Sequence, residues 1–439
     1  FLESFKKELE RMEREDEVID FRGFIFPVAI KLEVRVFGKP ISFVGATFKG
    51  RAEFSGVIFQ ENADFTGVAF QYGVEFHMSQ FHKNVSFNNA KLEKRGIFNL
   101  TEFKDIVYFI KAEFEEDVFF YGATFNEVFF IKCRFSSSID IRNSIFNKWV
   151  TFIDVTFNGD VYFTDCRFNS LINFRYCAFN KQARFIAAED NQGYLGFLST
   201  IFREPKTIYI IGYPLSKVSF LLTNIEGIYL VPARTGNDEI LDETLMRMVE
   251  SEKAGGSDGG NPTDNTPKMI REFAKELESY LNPETVHAEY KLIRKCLEAN
   301  RMFTEAADLF IKEMRLARKL LRKTNVFERL AHHIYEFVSR YGESVNRPII
   351  LAIATILFTS ILLLPYNPGI GGPIPLHLLL TKYLENLEAV SAVFFQVRSF
   401  KDFSFLAKAP IAIEILIRVL AIIIFGNLFV AVRRRLERH

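Results

Sequence analysis

Tryptophan is almost missing from this chain, cysteine is scarce, and charge of either sign is balanced: one Trp, four Cys and a formal net charge of +1 over 439 residues. Each shortage excludes something. The balanced charge argues against a chain-wide nucleic-acid-binding surface, and no nucleic-acid partner is expected. Cys133, Cys166, Cys177 and Cys296 form no CxxC pair, which argues against structural zinc and gives no reason to invoke disulfides. Among the seven His, His77 and His82 should point outward on different sides, and His332 and His333 are helix neighbours that cannot converge on one ion. No nucleophile, base and orienting group fall together, so neither catalysis, a cofactor nor a metal is expected. No signal-peptide pattern is visible, so the large N-terminal part is expected in the cytoplasm.

What is abundant is phenylalanine, with 49 residues. After a charged stretch (1–20, a helix or a mobile segment) and as far as residue 40, no domain is assigned. From Phe43 bulky residues then fall at 43, 48, 54, 59, 65, 70, 76, 81, 87, 92, 98, 103, 109, 114, 120 and 125, with spacings alternating between five and six. All are Phe except Leu92. One residue is dropped near Phe130, and the register resumes at Phe135, Ile141 and Phe146 and runs to Phe185. Two residues before each lies a small or β-branched slot, holding Ala46, Ala52, Val57, Ser79, Val85, Gly96, Cys133, Cys166 and Cys177 among others. The slot makes the repeat cysteines core residues. A period of eleven fits neither a heptad nor an amphipathic helix. Two inward residues in alternation followed by a corner describe one side of a β-solenoid. Two such periods make a 22-residue coil with four sides. Identical positions then stack at the inter-strand spacing, and 41–185 should form about six and a half coils, a rod roughly 30 Å long.

The units ATFKGRAEFSG, VIFQENADFTG and VTFNGDVYFTD resemble the pentapeptide-repeat family in an eleven-residue variant. The resemblance implies a right-handed quadrilateral β-helix. Residues 186–249 lose the ladder, and their short strands, such as TIYIIGYP, are expected to form irregular capping coils. A Gly-, Ser- and Asp-rich stretch at 250–268 is expected to be a flexible loop. A helical neck follows over 269–345, with Asn282 or Thr285 as N-cap and with stripes at Leu292, Cys296, Ala299 and Phe303 and at Phe310, Met314, Ala317 and Leu321. Its sequence resembles the neck of channel-fused pentapeptide-repeat proteins.

The last domain, 346–439, contains two long apolar runs, expected as membrane spans at about 347–365 and 409–432. Arg340 and Arg347 precede the first, and Arg433, Arg434 and Arg435 end the second. The positive-inside rule therefore places N-terminal domain and C-terminus in the cytoplasm of a multi-pass cell-membrane protein. GIGG at 369–372 follows a span, so it is expected to be a turn and not a phosphate loop. Residues 376–397 form one mostly apolar helix, too apolar for an ordinary outside loop, and are expected to re-enter the bilayer. The order span, re-entrant helix, loop, span resembles two-span pore-loop channels of the potassium-channel kind. At the filter position this chain has Gln396, Val397, Arg398, Ser399, Phe400, Lys401 and Asp402. Both filter glycines are absent, so a carbonyl filter for potassium is not expected. Arg398 and Lys401, repeated around an oligomer, would instead form a cationic ring that favours anions. On the second span, Glu414 and Arg418 can pair, and Asn427 can bond between helices or line the inner pore. The expectation is an oligomeric ion channel in a lipid bilayer, a homotetramer by resemblance. The alternative is a membrane-tethered β-helix scaffold with a non-conducting pore.

Overall fold

Ile19 pairs in parallel with Ile41, Ile41 with Ala63, Ala63 with Val85, and Val85 with Val107, each one 22-residue coil further along. The computed structural model describes residues 1–234, 239–253, 268–321, 325–367, 375–406 and 409–437. Four short strands make the first coil, Ile19–Asp20, Ile25–Phe26, Ile30–Lys31 and Val36–Phe37, and in later coils some run on through a corner, as Glu102–Ile110 does. The chain is thus a β-solenoid of about ten coils, from Ile19 to Val231, followed by helices.

Every ladder position named above is buried, and so is the small slot. Rings one coil apart lie nearly parallel, as in Phe65–Phe87 (4.9 Å, 6°) and Phe130–Phe152 (4.7 Å, 1°). Rings on neighbouring sides meet edge to face, as in Phe87–Phe98 (5.6 Å, 89°). The coil spacing therefore dictates the stacking, and the perpendicular contacts suit the ring quadrupoles. The small slot has a second chemistry. Ser79, Thr101 and Ser144 donate to the carbonyls of Phe54, Phe76 and Phe120 at 2.5, 2.7 and 2.6 Å. Cys133 Sγ does the same to Phe109 O at 2.8 Å. These bonds satisfy hydroxyl and thiol groups inside an aromatic core, and burial pushes the Cys133, Cys166 and Cys177 thiols up to about 12.

One corner in each eleven residues is left-handed: Val34, Gly45, Gly56, Gly67, Met78, Asn89, Leu100 and Lys111 have φ between 53° and 68°. Glycine at Gly56 and Gly67 accepts this geometry freely, whereas Val34 does not. The dropped residue is absorbed by a β-bulge. Glu102 and Phe103 pair with Thr124 and Phe125, but Ile106 pairs with Glu127, so one coil is 21 residues long there.

The solenoid starts about one coil earlier than expected. Phe21, Phe26, Leu32 and Phe37 occupy the ladder slots of that coil, in register with Phe43 and its successors. Residues 186–231 are coils, as expected, and they stay in the parallel ladder: Tyr194–Leu198 pairs with Leu171–Arg175, and Tyr229–Val231 pairs within Ile208–Ile211. The ring column continues through Phe174–Phe197 and Phe197–Phe220 at 5.4 and 5.7 Å, Phe202 lies 5.4 Å from Phe179, and Ile210 and Leu230 follow Phe185 in its column. The periodic signal faded because coil length departs from 22 residues, as in Ala183 with Ile208 and Tyr209 with Tyr229, and because the residue type changed.

Both ends are covered by helices. Helix α1 (Leu2–Glu15) buries Phe5, Leu9 and Met12, with the Phe5 ring 5.4 Å from Phe21, and Arg35 grips Glu13 at 2.6 and 2.9 Å. At the other end lie α2 (Leu241–Lys253), α3 (Lys268–Glu276) and α4 (Pro283–Ala299). These end helices shield strand edges that would otherwise template aggregation. Helix α2 occupies part of the span expected to be irregular, and its last residues take up the start of the expected loop. The rest of that loop, 254–267, lies outside the described residues. Asn282 is the N-cap of α4, its Oδ1 accepting from Thr285 N at 2.9 Å. The buried face of α4 is Val286, Tyr290, Ile293 and Leu297 with Cys296, whereas Ala299 of the expected stripe is exposed. Choosing the stripe one residue out of register rotates it by about 100°.

Two buried carboxyls sit at this junction. Asp242 on α2 accepts from Ser219 Oγ at 2.6 Å, and Glu289 on α4 accepts from Leu222 N at 3.2 Å. The other oxygen of each has no partner.

The chain divides into two compact units, Phe1–Leu309 and Phe310–His439, so α3 and α4 belong with the solenoid. The division falls inside α5 (Phe303–Leu320). The second unit continues with α6 (Val326–Ser339), α7 (Asn346–Leu362), α8 (Leu376–Phe394) and α9 (Ile411–Glu437). Two stretches, Asn346–Tyr366 (21 residues) and Ile411–Glu437 (27 residues), are long and apolar enough to cross a membrane. Helix α9 starts two residues later and ends five later than the span expected there. GIGG lies outside the described residues.

Candidate functional site: the loop between α8 and α9

Helix α8 turns Asn386, Ala389, Val390, Val393 and Phe394 inward. They pack with Leu363, at the end of α7, and with Ile417, Ala421 and Ile424 of α9. The helix stops at a Schellman motif. Gln396 N bonds to Val393 O at 3.0 Å, and Val397 N bonds to Ala392 O at 2.8 Å. Gln396 occupies the left-handed position at φ 61°, where glycine is usual. A non-glycine residue there costs roughly 1–2 kcal/mol. The chain then forms a one-turn 3-10 helix, Phe400–Asp402, with a capping box: Ser399 Oγ faces Lys401 N, and Ser399 N donates to Asp402 Oδ2 at 2.8 Å.

Glu414 and Arg418, one turn apart on α9, hold this loop. Their direct contacts are 2.9 and 3.1 Å. The buried Glu414 carboxylate also accepts from Ser399 Oγ and from Phe400 N, all at 3.0 Å. Arg418 Nη2 donates to Arg398 O at 2.7 Å, and Nη1 donates to Gln396 Oε1 at 2.9 Å. The strained Gln396 is therefore held by its own side chain. The two groups form a clamp spanning Gln396 to Phe400, which sequence spacing alone could describe only as an i,i+4 pair.

The structure brings Gln396, Arg398, Ser399, Phe400, Glu414 and Arg418 together. Phe400 is buried; Val397, Arg398, Lys401 and Asp402 are exposed. Arg398 lies over the Phe403 ring at 5.8 Å from its centroid. Asn427 lies apart from them, accepting from Ser339 Oγ at 2.8 Å and donating to Ile423 O at 2.8 Å. It joins α9 to α6. The sequence reading missed a second polar tie. Buried Asn386 accepts from Asn367 Nδ2 at 2.7 Å and donates to Ser360 O at 3.0 Å. Its signal was its position, since it shares a face with Ala389, Val390 and Val393.

The clamp predicts a specific instability. Glu414→Ala removes the partner of the part-exposed Arg418 and leaves the buried Phe400 N unsatisfied, a loss of about 1–3 kcal/mol for the second unit. Thermal unfolding in detergent, followed by exchange protection of Val397–Phe403 amides, should register it. Unchanged protection in that loop would show that Glu414 does not hold it.

The description "Pentapeptide repeats (9 copies)" matches residues 36–77, 109–156 and 142–189. An uncharacterized protein of Methanocaldococcus jannaschii is 29% identical over 259 residues, covering 58% of this chain and 52% of that protein. The chain thus spans about half the length of the relative it matches. No solved structure matches the chain. Matched segments, 22-residue register and inward Phe columns agree: the N-terminal part of this chain is a pentapeptide-repeat β-solenoid.

Proposed function

We propose that α7 and α9 cross a lipid bilayer and that several copies assemble into a channel whose mouth is lined by the 396–402 loop. Arg398 and Lys401 favour anions over potassium. The observation that supports this reading is the division of labour in that loop. The Arg398 carbonyl and the Phe400 amide are taken up by Arg418 and Glu414, while the Arg398 and Lys401 side chains are exposed, that of Arg398 lying over the Phe403 ring. A loop whose Arg398, Ser399 and Phe400 carbonyls are occupied is poorly suited to strip water from potassium, whereas a ring of cationic side chains concentrates anions. Two spans cannot enclose a pore, so assembly follows; four copies is what the resemblance implies. Helix α8 re-enters the membrane between the spans, and the basic ends at Arg340, Arg347 and Arg433–Arg435 keep solenoid and C-terminus cytoplasmic.

The test is flux from purified protein in liposomes under separate chloride and potassium gradients. Replacing both Arg398 and Lys401 with Glu should move the reversal potential toward cations, because charges repeated around a poorly screened constriction act together. Replacing Lys382 of α8, paired with Glu385 at 2.9 Å, should leave selectivity unchanged. A conducting double variant with wild-type selectivity would remove these residues from the path. Absence of flux in wild type under every condition would leave a membrane-tethered scaffold.

A further inference from the structure

Helix α6 is amphipathic with the wrong side out for a helix in water. Its polar face is engaged by α5: Arg315 Nε and Arg318 Nη1 each donate to Glu336 at 2.6 Å, and Arg318 meets His333 at 3.1 Å. Its apolar face is bare. Phe327 is 89% exposed, Phe337 69% and Leu330 53%, with Val326 and Ile334 beside them. These residues occupy one arc of the helix, at spacings of three and four. Isolated exposed apolar residues are ordinary, but a two-turn phenylalanine-bearing stripe opposite a satisfied polar face marks a contact surface.

The surroundings identify the contact. Only residues 340–345 separate α6 from α7, which is long and apolar enough to cross a membrane. The turn between them is fastened to the last turns of α9. Arg434 Nη1 donates to Tyr341 O at 2.8 Å and to Glu343 at 3.0 Å, and Ser339 Oγ donates to Asn427. Gly342, at φ 82°, sits so close that a Cβ would lie 3.0 Å from Val430. The C-terminal end of α6 is thereby held level with the basic end of α9, where Arg433 and Arg435 are exposed, as are Arg340 and Arg347.

We infer that α6 lies along the membrane–water interface, its Phe327–Leu330–Ile334–Phe337 face in the acyl boundary of the bilayer leaflet where α7 begins and α9 ends. An interfacial helix needs an apolar face to bury and flanking cationic groups for headgroups, and both are present. The inference rests on the membrane reading above.

The test uses the full chain in phosphatidylcholine–phosphatidylglycerol vesicles. Single cysteines introduced as Phe327→Cys, Phe337→Cys or Arg329→Cys, and as Ile353→Cys or Ile422→Cys in the apolar helices, carry an environment-sensitive fluorophore. The native thiols are buried and stay unlabelled. The labels at 327 and 337 should emit blue-shifted light, quenched most by lipid nitroxides near the headgroup. The label at 329 should remain solvent-like, and those at 353 and 422 should respond to nitroxides deep in the chains. Solvent-like emission at 327 and 337, with 353 and 422 quenched, overturns the inference and leaves the membrane reading intact. No quenching at any position overturns both. A blue shift at 327 and 337 that persists in detergent without lipid quenching shows that another copy covers the face, which also overturns it.

Discussion

Phe87→Ala should destabilise the solenoid by about 3–5 kcal/mol, the cost of deleting a fully enclosed aromatic that its surroundings cannot replace. Phe87 is completely buried, stacked on Phe65 at 4.9 Å and on Phe109 at 5.0 Å, with Phe76 and Phe98 edge-on. The rings above and below are fixed by parallel backbone pairing and cannot close over a gap. Each coil touches only its neighbours, so the loss should appear first as exchange of amides in the coils around Phe65 and Phe109. Phe163→Ala should behave similarly, and Val85→Trp should overpack the same layer by about 1–3 kcal/mol. Tyr72→Ala, at an exposed position, should change stability by less than about 0.5 kcal/mol. Denaturation of Phe87→Ala at the wild-type midpoint would refute the inward assignment.

Raising pH should loosen the helices from the last coils. Burial holds Asp242 up at about 7, and burial together with Asp242 raises Glu289 well above its usual range. The folded state therefore favours the protonated forms. An acid whose folded pKa lies above its unfolded one contributes fully below the unfolded value, near 4, and that contribution is lost as pH climbs through the folded value. Stability of the α2–α4 cap should thus fall from about pH 4 to about pH 7, and Glu289 extends the loss to higher pH. Ser219 Oγ faces Asp242 and Leu222 N faces Glu289, while the neighbouring Glu243 bonds to Tyr290 and adds no cation. Asp242→Asn keeps the Ser219 contact and removes the charge. The difference between wild type and variant in α2 amide protection should grow with pH over this window. A pH-independent difference would mean that Asp242 does not titrate there.

The sequence by itself determined the solenoid: the alternation of five and six, the inward Phe and the small slot leave no other regular backbone that buries them. It also determined the two apolar runs and the helix at 376–394, since length and composition decide such elements locally. Tertiary structure decided the rest. The first coil keeps Phe21, Phe26 and Phe37 in register and was legible in the letters; the last two were hidden because their length departs from 22 residues and because Ile and Leu fill a stacked slot as well as Phe does. Of the end helices, α1, α3 and α4 fall in stretches whose sequence allowed a helix, whereas α2 became visible only once there was a coil end to cover. Glu414, Arg418 and Gln396 lie up to 22 residues apart, and only the packing of α8 on α9 makes them one clamp. Residue spacing reports which side chains share a face of one element; which faces meet depends on burial, and burial is a property of the folded chain.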